Sequence, residues 1–253
     1  MLTSGLTDSD NFVSTRRIPV LYFSFAHLSL ATAAAVAAVD PRSVTGFFYH
    51  PLMLGVVHLI TLGWVTGSIF GAIFIVGPLA LRTPMPVGRV DYWAYGFFTV
   101  GVIGMVSHFW IERYSGMAWA AAMVLLAALQ VTGRVLGQLR RATLPAAVRA
   151  HLVAAFINLL GAATLGVLIA ADRAADVVPG YVLANASAHA HLAGIGWATL
   201  MVIGVGHRLL PMVLPSAMPV GARLWVTLGL VQVGVLGLFL TILTGARLVG
   251  VFA

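Results

Sequence analysis

Eight histidines and no cysteine leave imidazole as the metal-ligating side chain of this sequence, which excludes disulfides, iron-sulfur clusters and thiolate sites. Two of the eight stand out by position. Sliding the sequence against itself by 133 residues sets His58 on His191, with Leu59/Leu192, Gly63/Gly196, Trp64/Trp197, Thr66/Thr199, Gly71/Gly204, Pro78/Pro211 and Leu81/Leu214, eight identities in 24 positions. The same offset pairs 100–104 with 233–237 and Gly96 with Gly229, the signature of an internal duplication. Two imidazoles at matching points of a duplicated helix would stand at equal depth and face each other across a pseudo-twofold axis. Each would then offer one axial nitrogen to a six-coordinate haem iron.

His189 and His191 are two residues apart, about 200° around a helix, so they point to opposite faces and cannot bind one iron from the same side. His189 therefore faces a second site, where His108 and His50 could join it and which could hold a copper ion, a second haem or nothing at all. His27, His151 and His207 carry no ligand role in this reading. Gly63, Gly67, Gly71, Gly194, Gly196 and Gly204 either clear space for a flat macrocycle or serve ordinary small-residue helix packing.

The elements that must position these rings follow from composition. The chain is 60% apolar and 8% charged over 253 residues, more apolar than a soluble core of this size requires. Apolar runs long enough to cross ~30 Å of hydrocarbon recur near 18–38, 51–80, 92–112, 117–138, 150–170, 184–213 and 223–246. The expected fold is all-α: a single polytopic transmembrane domain, 1–253, of seven helices. Repeat one spans about 18–115, an extra helix about 117–141, and repeat two about 150–250. Both copies cross in the same sense, so the axis relating them runs along the membrane normal.

All 14 basic residues are arginine, and their distribution is a topology signal. With the N-terminus cytoplasmic and the C-terminus outside, ten of them (Arg16, Arg17, Arg82, Arg89, Arg134, Arg140, Arg141, Arg149, Arg208 and Arg223) fall on the cytoplasmic side. Outside remain Arg42, Arg113, Arg173 and Arg247, balanced by Asp40, Glu112, Asp172 and Asp176. A bacterial inner membrane with the positive side inward accounts for the net charge of +7, so nucleic acid is not an expected partner. The Arg16-Arg17 pair ahead of an apolar run has a twin-arginine flavour, but the run reads as a retained first span. No span carries a carboxylate at its centre, which argues against ion pumping. Outer arginines would instead meet haem propionates. Trp64 and Trp197 read as packing residues, and Trp93, Trp110, Trp119 and Trp225 as an interfacial belt.

The stretch Ala188-His189-Ala190-His191-Leu192, followed by Gly196-Trp197, Gly204 and His207-Arg208-Leu209-Leu210-Pro211, resembles the catalytic subunit of haem-copper oxidases and their NnrS-type relatives. The resemblance implies low-spin haem ligands at His191 and His58 and the ligand of a second centre at His189. Tyr49-His50-Pro51 and Ser107-His108-Phe109 are faintly similar to the family's copper-ligand helices. The first lacks the acidic residue and tyrosine that follow in the family, and the second has a single histidine. The implied protein binds haem b, and acts with an unknown redox partner in electron transfer or in binding or reducing nitric oxide or oxygen. Two other readings stand beside it: a histidine-based copper or zinc handling protein, and a non-catalytic partner subunit of a respiratory complex. Seven helices leave one repeat a helix short, so a homo-oligomer is expected.

Overall fold

The computed structural model describes residues 17–81, 85–178 and 180–244. Arg16, Arg82 and Arg247, which entered the charge count, lie outside the described residues. Those described form helices and no strand. They run as α1 (Arg17–Val39), the short α2 (Arg42–Thr45), α3 (Pro51–His58), a π-helical segment (Leu59–Thr66) and α4 (Gly67–Leu81). Then come α5 (Arg89–Trp110), α6 (Met117–Leu139), α7 (Ala146–Ala175), α8 (Val182–His191), a second π-helical segment (Leu192–Thr199), α9 (Leu200–Val213) and α10 (Ala222–Thr244).

Among the described residues, six helical stretches are long and apolar enough to cross a membrane: Arg17–Val39, Pro51–Ala80, Met117–Leu139, Ala146–Ala175, Val182–Val213 and Ala222–Thr244. The run expected at 92–112 forms as α5, whose 22 residues span about 33 Å. It is not among the six. Its first turn holds Arg89 and the buried Asp91, which are followed by Tyr92, Trp93 and Tyr95. Asp91 accepts from the Gly88 N–H at 2.7 Å and pairs with Arg134 of α6 at 3.5 Å. A carboxylate at a helix start satisfies an otherwise orphaned N–H and complements the helix dipole.

The two π-helical segments occupy matching positions of the two histidine-bearing helices, each opening directly after its histidine. Local bonds match as well. Thr66 Oγ1 donates to Thr61 O at 3.1 Å, and Thr199 Oγ1 to Gly194 O at 3.0 Å. The first segment packs on α1 and the second on α7. They meet where the buried Trp197 indole N–H donates to Thr66 Oγ1 at 3.2 Å. Around that contact lies an aromatic core. Trp197 packs on Phe70 and Phe156, and Phe70 on Phe98 and Tyr22.

Close helix approach uses the glycines that sequence reading had offered to a macrocycle. A methyl at Gly63 would lie 2.6 Å from Ser29 Cβ, and one at Gly196 2.7 Å from Asn158 Cγ. At Gly71 and Gly204 the close neighbours are Tyr22 and His151, and at Gly67 they are Ala26 and Phe98. These faces are filled by neighbouring helices, so helix packing and not cofactor clearance is the role of all five. Gly194 alone of the six has nothing within 4 Å.

Candidate functional site

Pro51 at the first position of α3 makes His50 its N-cap, and the His50 ring accepts from the Leu52 N–H at 3.3 Å. Eight residues on, the last residue of α3 is His58, whose Nδ1 is bonded to the Leu54 carbonyl one turn back at 2.7 Å. On α8, His191 makes the same bond to Ser187 O at 2.7 Å. His189 reaches across to α7 instead, bonding through Nδ1 to Ala162 O at 2.9 Å. A carbonyl accepts, so each Nδ1 carries the proton and each ring is left with a lone pair at Nε2.

The ring beside His58 is that of His189 and not that of His191. The centroids of His58 and His189 are 6.4 Å apart with an interplanar angle of 18°. Two imidazoles that share one ion in line, each about 2.0 Å from it, have centroids roughly 6.3 Å apart. The Phe109 ring lies 5.2 Å from that of His58 on another side. Gly166 of α7 gives the His189 ring room, since a methyl there would come within 3.1 Å of its Cε1.

The expected grouping of His189 with His108 and His50 does not assemble among the described residues. Among the described residues there is no group of three or more His, Cys, Asp or Glu side chains arranged to hold a metal. His50 is spent on the N-cap of α3. His108 bonds through Nδ1 to Arg113 O past the C-terminus of α5, which covers an otherwise unsatisfied carbonyl. Neither joins His189, and the ring of His191 is not in contact with that of His58.

Sequence reasoning missed three polar atoms near this end of the bundle. The guanidinium of Arg173 stacks over Tyr49 at 4.5 Å and Tyr114 at 5.1 Å. Its Nη2 is buried without a hydrogen-bond partner, as are Tyr49 Oη and Trp110 Nε1. The Trp110 indole lies against Gly55, one turn before His58. Three buried donors without acceptors are costly unless an acceptor arrives. Arg173 was legible as one of four outer arginines; nothing in the spacing singled it out.

A second ring pair was also missed. His151 of α7 and His207 of α9 have centroids 5.2 Å apart and an interplanar angle of 77°.

No family model, curated protein or solved structure matches this chain.

Proposed function

We propose that this chain is an integral membrane haem b protein in which His58 and His189 are the two axial ligands of one iron, and that it carries electrons. The observation that carries the reading is the pair of near-parallel rings at 6.4 Å, each with its Nδ1 proton given to a backbone carbonyl. Such a donation fixes ring orientation and tautomer and raises the basicity of the ligating nitrogen. A haem asks the protein for only two ligands, whereas a tetrahedral zinc site asks for three or four. The absence of any three-ligand group among the described residues therefore favours haem over a zinc site at this pair.

Unpartnered donors at this end of the bundle suit the carboxylates of such a group. Arg173 Nη2, Tyr49 Oη and Trp110 Nε1 are donors in want of acceptors, and propionate carboxylates are acceptors of the right charge. Phe109 packs against the His58 ring at 5.2 Å. Bound here, haem supplies one-electron ferric/ferrous chemistry. If His58 and His189 both held the iron, electron transfer would be favoured over gas binding, for which one histidine would have to leave. The arginine distribution supports an inner-membrane orientation with this site toward the outer face, the N-terminus inside and seven crossings including α5. The paired π-helical segments support a parallel two-fold repeat.

Purified protein in detergent tests the reading directly. A Soret band with a low-spin ferric spectrum and one pyridine haemochrome equivalent of haem b per chain is the expected result. Protein that stays colourless after expression with abundant haem overturns it.

A further inference from the structure

Each half of the fold has a place where a glycine admits a neighbouring helix and two rings meet. In the first half Gly71 sits against Tyr22 of α1, and Tyr22 stacks on Phe74 of α4 at 6.3 Å. In the second half Gly204 sits against His151 of α7, and His151 meets His207 of α9 at 5.2 Å. Phe74 and His207 share the offset that aligns His58 with His191. Where one half packs phenyl against phenol, the other holds two imidazoles.

Packing alone does not call for imidazole there. His151 is wholly buried. Its Nδ1 is bonded to Ala147 O at 2.8 Å, which leaves a lone pair at Nε2. Neither His151 Nε2 nor His207 Nε2 has a hydrogen-bond partner, and both atoms are buried. The two rings thus do not bond to each other. A water bridging two imidazoles at about 2.8 Å from each would hold the centroids about 6 Å apart. An ion about 2.0 Å from each, bent near the tetrahedral angle, sets them about 5 Å apart. The separation of 5.2 Å is that of an edge-to-face ring contact and also admits an ion bound in the bent arrangement.

Charge selects the ion. No carboxylate joins the pair, since no group of three ligating side chains exists among the described residues. Two arginines lie nearby in sequence, Arg149 turned to Ala142 O and Arg208 to Ala80 O, each at 3.2 Å. Burying a divalent ion between neutral ligands costs far more than burying a monovalent one, because the Born penalty grows with the square of the charge. Among transition metals that imidazole binds, copper offers the monovalent state.

We propose that His151 and His207 form a copper(I) site, distinct from the His58 and His189 pair, in which two imidazoles hold a low-coordinate ion with a position left open. The proposal stands on its own geometry and does not depend on haem at the other pair.

The test titrates the full chain in detergent, under anaerobic reducing conditions, with copper(I) in competition with a chromogenic copper(I) chelator. The wild type is expected to withhold one equivalent. His151→Gln and His207→Gln are each expected to weaken that equivalent at least about 100-fold, while the double variant His58→Ala, His189→Ala keeps it. Size-exclusion profiles report whether each variant folds, and His207, only half-buried, is the safer substitution. Copper K-edge absorption on the wild type needs no variant and should show a three-coordinate ion with two imidazoles and one exogenous ligand. A wild type that withholds no copper overturns the proposal. So does copper that both substitutions leave in place, a four-coordinate spectrum, or stoichiometric zinc(II) uptake that copper(I) does not displace.

Discussion

An imidazole that donates its Nδ1 proton to a carbonyl keeps one lone pair, at Nε2, as its remaining site for a ligand. His58 and His189 are both in that state. Replacing either by alanine should abolish the low-spin ferric spectrum, and His191→Ala should leave it intact, by optical and electron paramagnetic resonance spectra of purified variants. Loss of the spectrum on His191→Ala with retention on His189→Ala would restore the symmetric pairing that sequence reading anticipates. The two readings differ because an offset of 133 residues matches positions along an axis but not direction around it. Direction at His189 is fixed by the Ala162 carbonyl of α7, a backbone group that no residue type announces. Arg173→Gln removes a cation that favours the reduced, more negative state of a nearby redox centre. The midpoint potential in a redox titration should therefore fall by roughly 40 mV, equivalent to about 1 kcal/mol for one electron.

At the scale of elements, the apolar runs gave the helices to within a few residues: 51–80 became α3 through α4, and 184–213 became α8 through α9. The π-helical segments were not legible. Widening eight residues from an α to a π turn leaves an apolar stretch apolar on every side, so no periodicity reports it. What could be read was the pair of small residues inside them. Gly63→Ala puts a methyl 2.6 Å from Ser29 Cβ, between buried helices that cannot part cheaply. Overpacking of about 1–3 kcal/mol should outweigh the gain of up to about 1 kcal/mol from better helix propensity. Gly194→Ala lies in the matching segment with open space around it and should show the opposite sign. Thermal unfolding in detergent, followed by circular dichroism, compares the two.

For the whole molecule, composition alone dictated a bilayer protein of helices, because a backbone without water must satisfy itself. How tightly each helix is held by the others was hidden from it. In α6, 44% of the most apolar window is buried inside the protein, against 11% in α10. Two neighbours account for the difference: α6 is clamped between α5 and α7, while α10 leans on α8 and α7 and exposes Leu230, Val233, Leu236 and Leu240. Mechanically, α10 is held less by its neighbours than α6 is. Pulled from the C-terminus by a force probe, the chain should yield α10 first, in a step whose force follows bilayer thickness and hardly changes when core residues such as Trp197 are altered. The next rupture, which must break the α7 and α9 packing, should carry the signature of any ion or cofactor bound below it.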